Sequence, residues 1–409
     1  MNVHIAIDFG ASRIKSIAFI SSHKIIDKFE TVGSNYFKNK IINPNFFYKS
    51  LNKHLNHYSK KYKFSKIIIC SEMHGYALFD KQKNKITKYF SWRFQRDHKK
   101  TKNIIKDLET KKFQKITGLK PRIGLPIINW LSDKSNKKGR NYLCGIGEIL
   151  CIIGGKYYGT LHSTYAQSTG FYKLNNTSFF NKKIFLNKIV KIRKNLIGTI
   201  IFKNEKKFIY GGYGDLQATI AGSNVKNNEI LINLGTGSQI ILKNINKNYK
   251  VFEKRNYFNK VFDCKTHIPS GRSLNLIADK INKINKEQNY FWKTISRIKL
   301  YNLIKCKEII DLDYFNLKKK LKAKEIKKNL NKFIIIVLKS YCNQYVNYIN
   351  SLSLKKTKSK NIVLSGGIPN KIPVIKKYIE YETGIKTKLH NSTVDETLIG
   401  LLKLSNYNL

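Results

Sequence analysis

The stretch "IYGGYGDLQATIAGSNVKNNEILINLGTGSQI", residues 209–240, sets an acidic residue in a glycine-rich turn, then a run of small residues and a second glycine loop. No apolar pattern calls for Asp215 between Gly214 and Leu216, so a chemical role is the first reading to weigh against a plain helix cap. "GDLQATIAG" reads as the start of a helix, where aligned backbone N–H dipoles favour an ionised carboxylate. "EILINLGTGSQIILK" reads as strand, glycine turn, strand.

The same grammar opens the chain. "VHIAIDFGASRIKSIAFIS" is also strand, glycine turn, strand, about 225 residues earlier, and such duplication predicts two related halves with a cleft between them. A length of 409 residues exceeds what one core usually supports, so two α/β domains are expected, 1–207 and 208–409. "HKIIDKFETVG" extends the opening meander by a strand. A helix is predicted over 43–62, with Asn43 as cap and Pro44 in the first turn. "SKIIICSEMHG" is a buried strand running into a polar loop, 101–118 reads as helix, and 124–160 as buried helix or hairpin. Residues 273–352 read as mainly amphipathic helix, "KNIVLSGGIPN" as a strand entering a glycine turn, and "DETLIGLLKL" as a closing helix.

Composition narrows the function classes. A hydrophobic fraction of 42% with 12% aromatics supplies real cores, and no apolar run approaches a membrane span. The N-terminal "MNVHIAIDFG" does not read as a signal peptide. Six cysteines, at 70, 144, 151, 264, 306 and 342, form no Cys-x-x-Cys pair, which fits reduced thiols in a cytoplasm. The formal charge of +53 is nearly all lysine spread along the chain, whereas fork-like recognition of bases and phosphates favours arginine. Specific nucleic-acid binding and membrane association are therefore not expected, only weak, salt-sensitive attraction for polyanions.

Three glycine loops carry the chemistry. In "IDFGASRIKS", Asp8 ends an apolar strand and Gly10 permits a tight turn, so N–H groups can face a phosphate while Asp8 holds Mg²⁺ directly or through water; an ordinary turn cap is the alternative. In "NLGTGSQI", Gly235, Thr236 and Gly237 form a turn able to cradle phosphates, or an ordinary hairpin. In "LSGGIPN", Ser365, Gly366, Gly367 and Asn370 follow a buried strand, and the glycine pair lets a flat base approach the backbone. Each loop alone is ambiguous; their order and spacing are not.

Together these motifs resemble the FGGY family of carbohydrate kinases, within the actin–hexokinase–heat-shock ATPase superfamily, over nearly the whole chain. "DFGASRIKS" is similar to the family's first phosphate loop, "SEMHG" to its Gln-Met-His-Gly sugar loop, and "SWRFQR" to its Trp-x-Asp-x-Arg substrate segment. "TGLKPRIGLPIINWL", "AQSTGFYKLNN", "GGYGDLQATIAG", "NLGTGSQ", "LSGGIPN" and "DETLIGLL" follow in the family's order. The Gly-Asp-Leu-Gln spelling and "SGRSLN" look nearest to sedoheptulokinase-like members, with xylulokinase-like members also close in spelling.

The resemblance implies two ribonuclease-H-like (actin-like ATPase) domains with an interdomain cleft, and ATP-dependent phosphorylation of a sugar hydroxyl, a heptulose or pentulose ketose above all. It implies Asp215 as general base, Asp8 toward the metal, and Met73, His74, Trp92, Arg96 and Asp215 around the sugar. ATP falls to Gly10, Ser12, Arg13, Gly235, Thr236, Gly237, Gly366, Gly367 and Asn370. ATP and Mg²⁺ are the expected cofactors, sugar and ATP the partners, the chain being a monomer or homodimer. The chain departs from the family at Ala11, where Thr is usual, at Glu72 for Gln, at Phe94 for a carboxylate that Gln95 or Asp97 would replace, and at Ile127 for Lys. Two other readings remain open: another sugar or acid kinase of the superfamily, and a nucleotide-responsive scaffold without turnover.

Overall fold

A computed structural model of the chain describes residues 2–10, 13–21, 24–32, 40–94, 98–133, 141–180, 184–235, 237–243, 252–313, 329–351, 361–390 and 394–405. Ser12, Arg96 and Thr236, three of the expected site residues, lie outside them, as do Ala11, Gln95 and Asp97. The chain forms two compact units. The first comprises Met1–Asn224, Glu253–Val261 and Val394–Leu409, the second Val225–Phe252 and Phe262–Thr393.

The first unit is built on a seven-stranded sheet in the order 155–157, 196–202, 205–214, 64–71, 3–9, 13–20, 25–32. Val3–Phe9 pairs in parallel with Phe64–Ser71, which pairs in parallel with Glu205–Gly214. The meander Val3–Phe9, Arg13–Ile20, Ile25–Val32 is antiparallel, as the opening sequence predicted. Val3–Phe9 is buried at every position, and a strand covered on both faces reads as a near-continuous apolar run, which "VHIAI" does apart from His4. Helix Asn45–Ser59 packs Phe47, Leu51, Leu55 and Tyr58 onto this sheet's core. It starts after Pro44, and Asn43 Oδ1 accepts the Asn45 N–H at 3.0 Å. The predicted 101–118 helix is divided into His98–Thr110 and Phe113–Thr117, because Lys112 adopts a left-handed conformation at φ 54°. The 124–160 stretch holds helix Pro126–Leu131, strand Asn141–Cys144 and helix Ile146–Gly154.

Two helices explain why compact units do not follow the linear halves 1–207 and 208–409. Asp215–Gly222 continues directly from the sheet strand Glu205–Gly214, and the closing helix Glu396–Ser405 packs against it. Backbone meets backbone at this crossing. A Cβ on Gly222 would sit 1.8 Å from the Glu396 carbonyl oxygen, and one on Gly400 1.8 Å from the Ala218 carbonyl oxygen. Only hydrogen side chains admit so close an approach.

The second unit has its own sheet, in the order 260–268 (from Phe262 on), 238–243, 229–234, 361–365, 387–389. Glu229–Leu234 is antiparallel to Ser238–Lys243 and parallel to Asn361–Ser365. Helices Gly271–Asn285, Leu330–Ser351 and Val374–Thr383 close a core that includes Ile232, Leu274, Val337, Tyr341 and Ile375. Among the described residues no helix is long and apolar enough to cross a membrane. All six cysteines are free thiols, and all but Cys306 are buried.

Candidate active site

Three parallel strands of the first unit end at one edge of their sheet. Their registers pair Asp8 with Cys70, Phe9 with Ser71, Tyr213 with Cys70 and Gly214 with Ser71. The segments leaving those ends are therefore neighbours: Asp8–Gly10, then Glu72–Met73–His74, then Asp215. Carboxyl ends of parallel strands are where α/β folds hold ligands, because loops leave there on a rigid frame. At Gly10 a Cβ would meet the Arg13 carbonyl oxygen at 2.9 Å and Asp8 Oδ2 at 3.4 Å, so the turn requires glycine.

Asp8 is 7% exposed and accepts the Cys70 S–H at 3.3 Å. Burial, with the nearby carboxylates of Asp395 and Asp215, pushes its pKa up to about 8, against the pull of Lys15 and the Cys70 hydrogen bond. Asp215 is the first residue of its helix, half-buried, and its Oδ1 accepts the Leu216 N–H at 2.8 Å. Burial raises its pKa to about 6; the Leu216 N–H and Arg255 pull it down. The helix terminus favours the ionised form, as the sequence indicated, but burial outweighs it. The group stays mostly ionised at neutral pH, in the range suited to a general base.

Lys15 stands directly across from Asp8 in the hairpin register and reaches Asp395 at 2.5 Å. Burial lowers the Lys15 pKa, but Asp395 and Asp8 more than restore it, and the residue is charged. Arg13, by contrast, is exposed and pairs with Glu30. The basic residue beside Asp8 is thus Lys15. Asp395 in turn accepts the Thr397 N–H at 3.0 Å as the closing helix begins, so the glycine-mediated helix crossing places that carboxylate.

Met73 is 7% exposed and lies against Gly214, whose Cβ would be 3.0 Å from the Met73 sulfur. His74 takes a left-handed conformation, φ 67°, which non-glycine residues seldom adopt without surrounding support. Its support is explicit: Nδ1 lies 2.6 Å from the Ser168 carbonyl oxygen, so Nδ1 carries the proton, and Nε2 accepts from Arg122 at 3.2 Å and Arg255 at 3.3 Å. Both guanidinium groups also hold Glu253, at 2.5 and 2.7 Å. Burial pushes Glu253 up, but Arg122, Arg255 and the Lys120 N–H outweigh it and hold this carboxyl well below the usual range. Trp92 lies in the turn before Phe94; the Arg93 guanidinium sits 5.3 Å from its ring centroid, and Asn129 donates to the Phe94 carbonyl at 3.1 Å. Glu72 accepts the Tyr89 hydroxyl at 3.0 Å. Ile127 is fully buried under Gly170, so this departure from the family pattern serves the core.

In the second unit, both glycine loops leave the ends of adjacent parallel strands, with Asn233 paired to Ser365. The Gly235 carbonyl accepts Gly271 N–H at 3.1 Å and Ser270 Oγ at 3.0 Å, while a Cβ on Gly237 would touch nothing within 4 Å. Gly366 is required by the chain itself: φ is 92° and a Cβ would lie 2.4 Å from the Leu234 carbonyl oxygen. Gly367 is open, and Asn370 is exposed on the short helix Gly367–Lys371.

Charge favours one place for a cation. Asp8 carries a raised pKa because burial desolvates it and because two further carboxylates, Asp395 and Asp215, add to it, a field that a divalent cation would relieve. No group of three His, Cys, Asp or Glu side chains among the described residues is arranged to hold a metal alone. A Mg²⁺ ion at Asp8 fits on those terms, since this ion commonly takes one or two carboxylates and completes its shell with water and phosphate oxygens.

Residues 3–150 match the N-terminal domain of the FGGY family of carbohydrate kinases. The fold is similar to that of a xylulose kinase from Lactobacillus acidophilus, at 14% identity and a TM-score of 0.75, over 99% of this chain and 89% of that one. It is similar to a xylulose kinase from Brucella ovis at 13% identity and a TM-score of 0.76, over 98% and 90%. For the glycerol kinase of Plasmodium falciparum with ADP the figures are 14%, 0.71, 99% and 89%. No curated protein sequence matches the chain.

Proposed function

We propose that this chain is a carbohydrate kinase of the FGGY family, whose N-terminal domain its residues 3–150 match, and that it transfers the γ-phosphoryl group of ATP to a hydroxyl of a sugar, with Asp215 as general base. The observation that carries the reading is the convergence of Asp8, the Met73–His74 loop and Asp215 at the ends of three adjacent parallel strands. The acceptor is assigned to Met73, His74, Trp92, Arg96 and Asp215. A ketose, a heptulose or pentulose, is the acceptor the motif spelling favours.

In this reading Asp215 accepts the acceptor's hydroxyl proton as that oxygen attacks the γ-phosphorus. The bond from the γ-phosphorus to its bridging oxygen breaks, and ADP leaves. Phosphoryl transfer asks mainly for positioning and charge neutralisation. Mg²⁺, held at Asp8, would supply neutralisation of the phosphate oxygens. Lys15 keeps Asp395 engaged next to Asp8, and the loops at Gly10, Ser12 and Arg13, at Gly235–Gly237, and at Gly366, Gly367 and Asn370 are assigned to the nucleotide. Coupled ADP-release assays across ketoses, aldoses and polyols test the reading. Sugar-dependent ADP release supports it. Nucleotide binding with no release for any acceptor would favour the scaffold alternative.

A further inference from the structure

The strand Glu253–Tyr257 enters the first unit from far along the chain and is pinned at successive residues. The Lys254 N–H donates to the Gly118 carbonyl at 2.8 Å, and the Lys254 carbonyl accepts Gln167 Nε2 at 3.0 Å. The Asn256 carbonyl accepts Gln217 Nε2 at 2.8 Å, and Gln217 lies two residues along the helix that Asp215 begins. Arg255, between these anchors, is fixed beside that helix. Its side chain is 0% exposed. Nη2 donates to Glu253 and His74, while Nε and Nη1, both buried, have no hydrogen-bond partner among the described residues. Its charge acts on Asp215, drawing that carboxyl's pKa down.

A buried guanidinium with unmet N–H groups is costly unless something accepts from them. Arg255 already has its ion-pair partner in Glu253, so the missing partner need not be another side chain. Two guanidinium groups, Arg122 and Arg255, share the one carboxylate of Glu253, leaving the trio with one positive charge in excess. A guanidinium donates and never accepts. The group it selects is an oxygen that only accepts, a carbonyl or carboxylate oxygen, whose lone pairs meet the guanidinium with no proton of their own to place.

We propose that Arg255 is a specificity-determining residue of the acceptor site, and that it selects acceptors bearing an sp² oxygen, a ketose carbonyl or a sugar-acid carboxylate, over polyols of the same length. This rests on the kinase reading above and deepens it. Gln217 and Glu253 are the positioning residues that hold the guanidinium in place.

The test compares xylulose, gluconate, xylitol and glycerol, both as acceptors in coupled ADP release and as ligands by calorimetry, with the wild-type chain and with Arg255→Gln and Arg255→Lys. The expected wild-type preference for xylulose or gluconate over the polyols is about 30- to 100-fold, the size of one hydrogen bond from a charged donor. Arg255→Gln should remove that preference while retaining the MgATP-dependent thermal shift, which shows that the variant is folded. Arg255→Lys, which keeps the charge but loses the planar fork, should recover only part of it. Whichever of xylulose and gluconate is preferred identifies the source of the oxygen. If calorimetry shows the preference and its loss in Arg255→Gln without turnover of any acceptor, the recognition role stands and the kinase reading fails. Polyols bound as tightly as xylulose and gluconate by the wild type, no binding of any of the four, or an unchanged preference in folded Arg255→Gln would overturn the proposal.

Discussion

Gly400→Ala probes how the closing helix serves the active site. The added Cβ would lie 1.8 Å from the Ala218 carbonyl oxygen and 2.6 Å from its carbon, both backbone atoms that no rotamer change can move. Restoring ordinary contact requires the two helices to part by roughly 1.5 Å. Overpacking of this kind costs on the order of 1–3 kcal/mol or more, against a helix-propensity gain for alanine of about 1 kcal/mol. The net expectation is a loss of about 2 kcal/mol, or a Tm lower by roughly 4–8 °C for a unit of this size. Activity should fall further than stability, because the helix starts next to Asp395, and a misplacement of about 1 Å can cost on the order of 100-fold in rate. Differential scanning fluorimetry and ADP release at a temperature where the variant is folded measure both effects. Gly367→Ala, whose Cβ meets nothing within 4 Å, is the matched control for stability. A Gly400→Ala chain as stable and active as wild type would refute the close crossing and its link to the site.

Other outcomes follow from the same geometry. Asp8 and Asp215 are neutralised more easily folded than unfolded, so their contribution to stability is full below about pH 4 and is lost as pH rises through about 6 for Asp215 and about 8 for Asp8. Asp8→Asn should therefore raise the Tm of the nucleotide-free protein at pH 8 by several degrees and flatten its decline with pH, while weakening stabilisation by MgADP; melting curves across pH 5–8 check both. The acceptor kcat/KM should rise with pH along a limb centred near 6 as Asp215 ionises; a limb that survives in Asp215→Glu and tracks a different group would contradict the assignment. Lys15→Met should reduce kcat by tenfold or more, since Lys15 faces Asp8, whereas Arg13→Met, at an exposed nucleotide-loop residue paired with Glu30, should leave kcat within a few-fold and act on the KM for ATP; kcat and KM from the coupled assay separate the two.

Much of the frame was legible because its signals are local. Buried strands ending in glycine turns, the small-residue helix behind Asp215 and the closing helix are each written within ten or twelve residues, and the fold has them. Asp215 stood out because nothing apolar explained it. The residues that sequence alone passed over are set by pairing across long separations. Glu253 and Arg255 reach the His74 loop from the other side of a chain excursion into the second unit, and Arg122 joins them from a loop more than a hundred residues earlier. Lys15 was within reach: the two-strand register about Gly10 puts it across from Asp8, and counting the turn would have preferred it to Arg13. The break at Lys112 and the left-handed His74 were not legible, because non-glycine residues take positive φ only when tertiary contacts impose it.

The most direct measurement of the central claim is acceptor-dependent ADP release by wild-type and Asp215→Asn chains, with ATP binding followed in parallel by calorimetry. The account predicts that at least one sugar accelerates ADP release by wild type. It predicts that Asp215→Asn lowers that turnover by a thousandfold or more and leaves ATP affinity within a few-fold. ADP release indifferent to every sugar, or near wild-type turnover in Asp215→Asn, would contradict it.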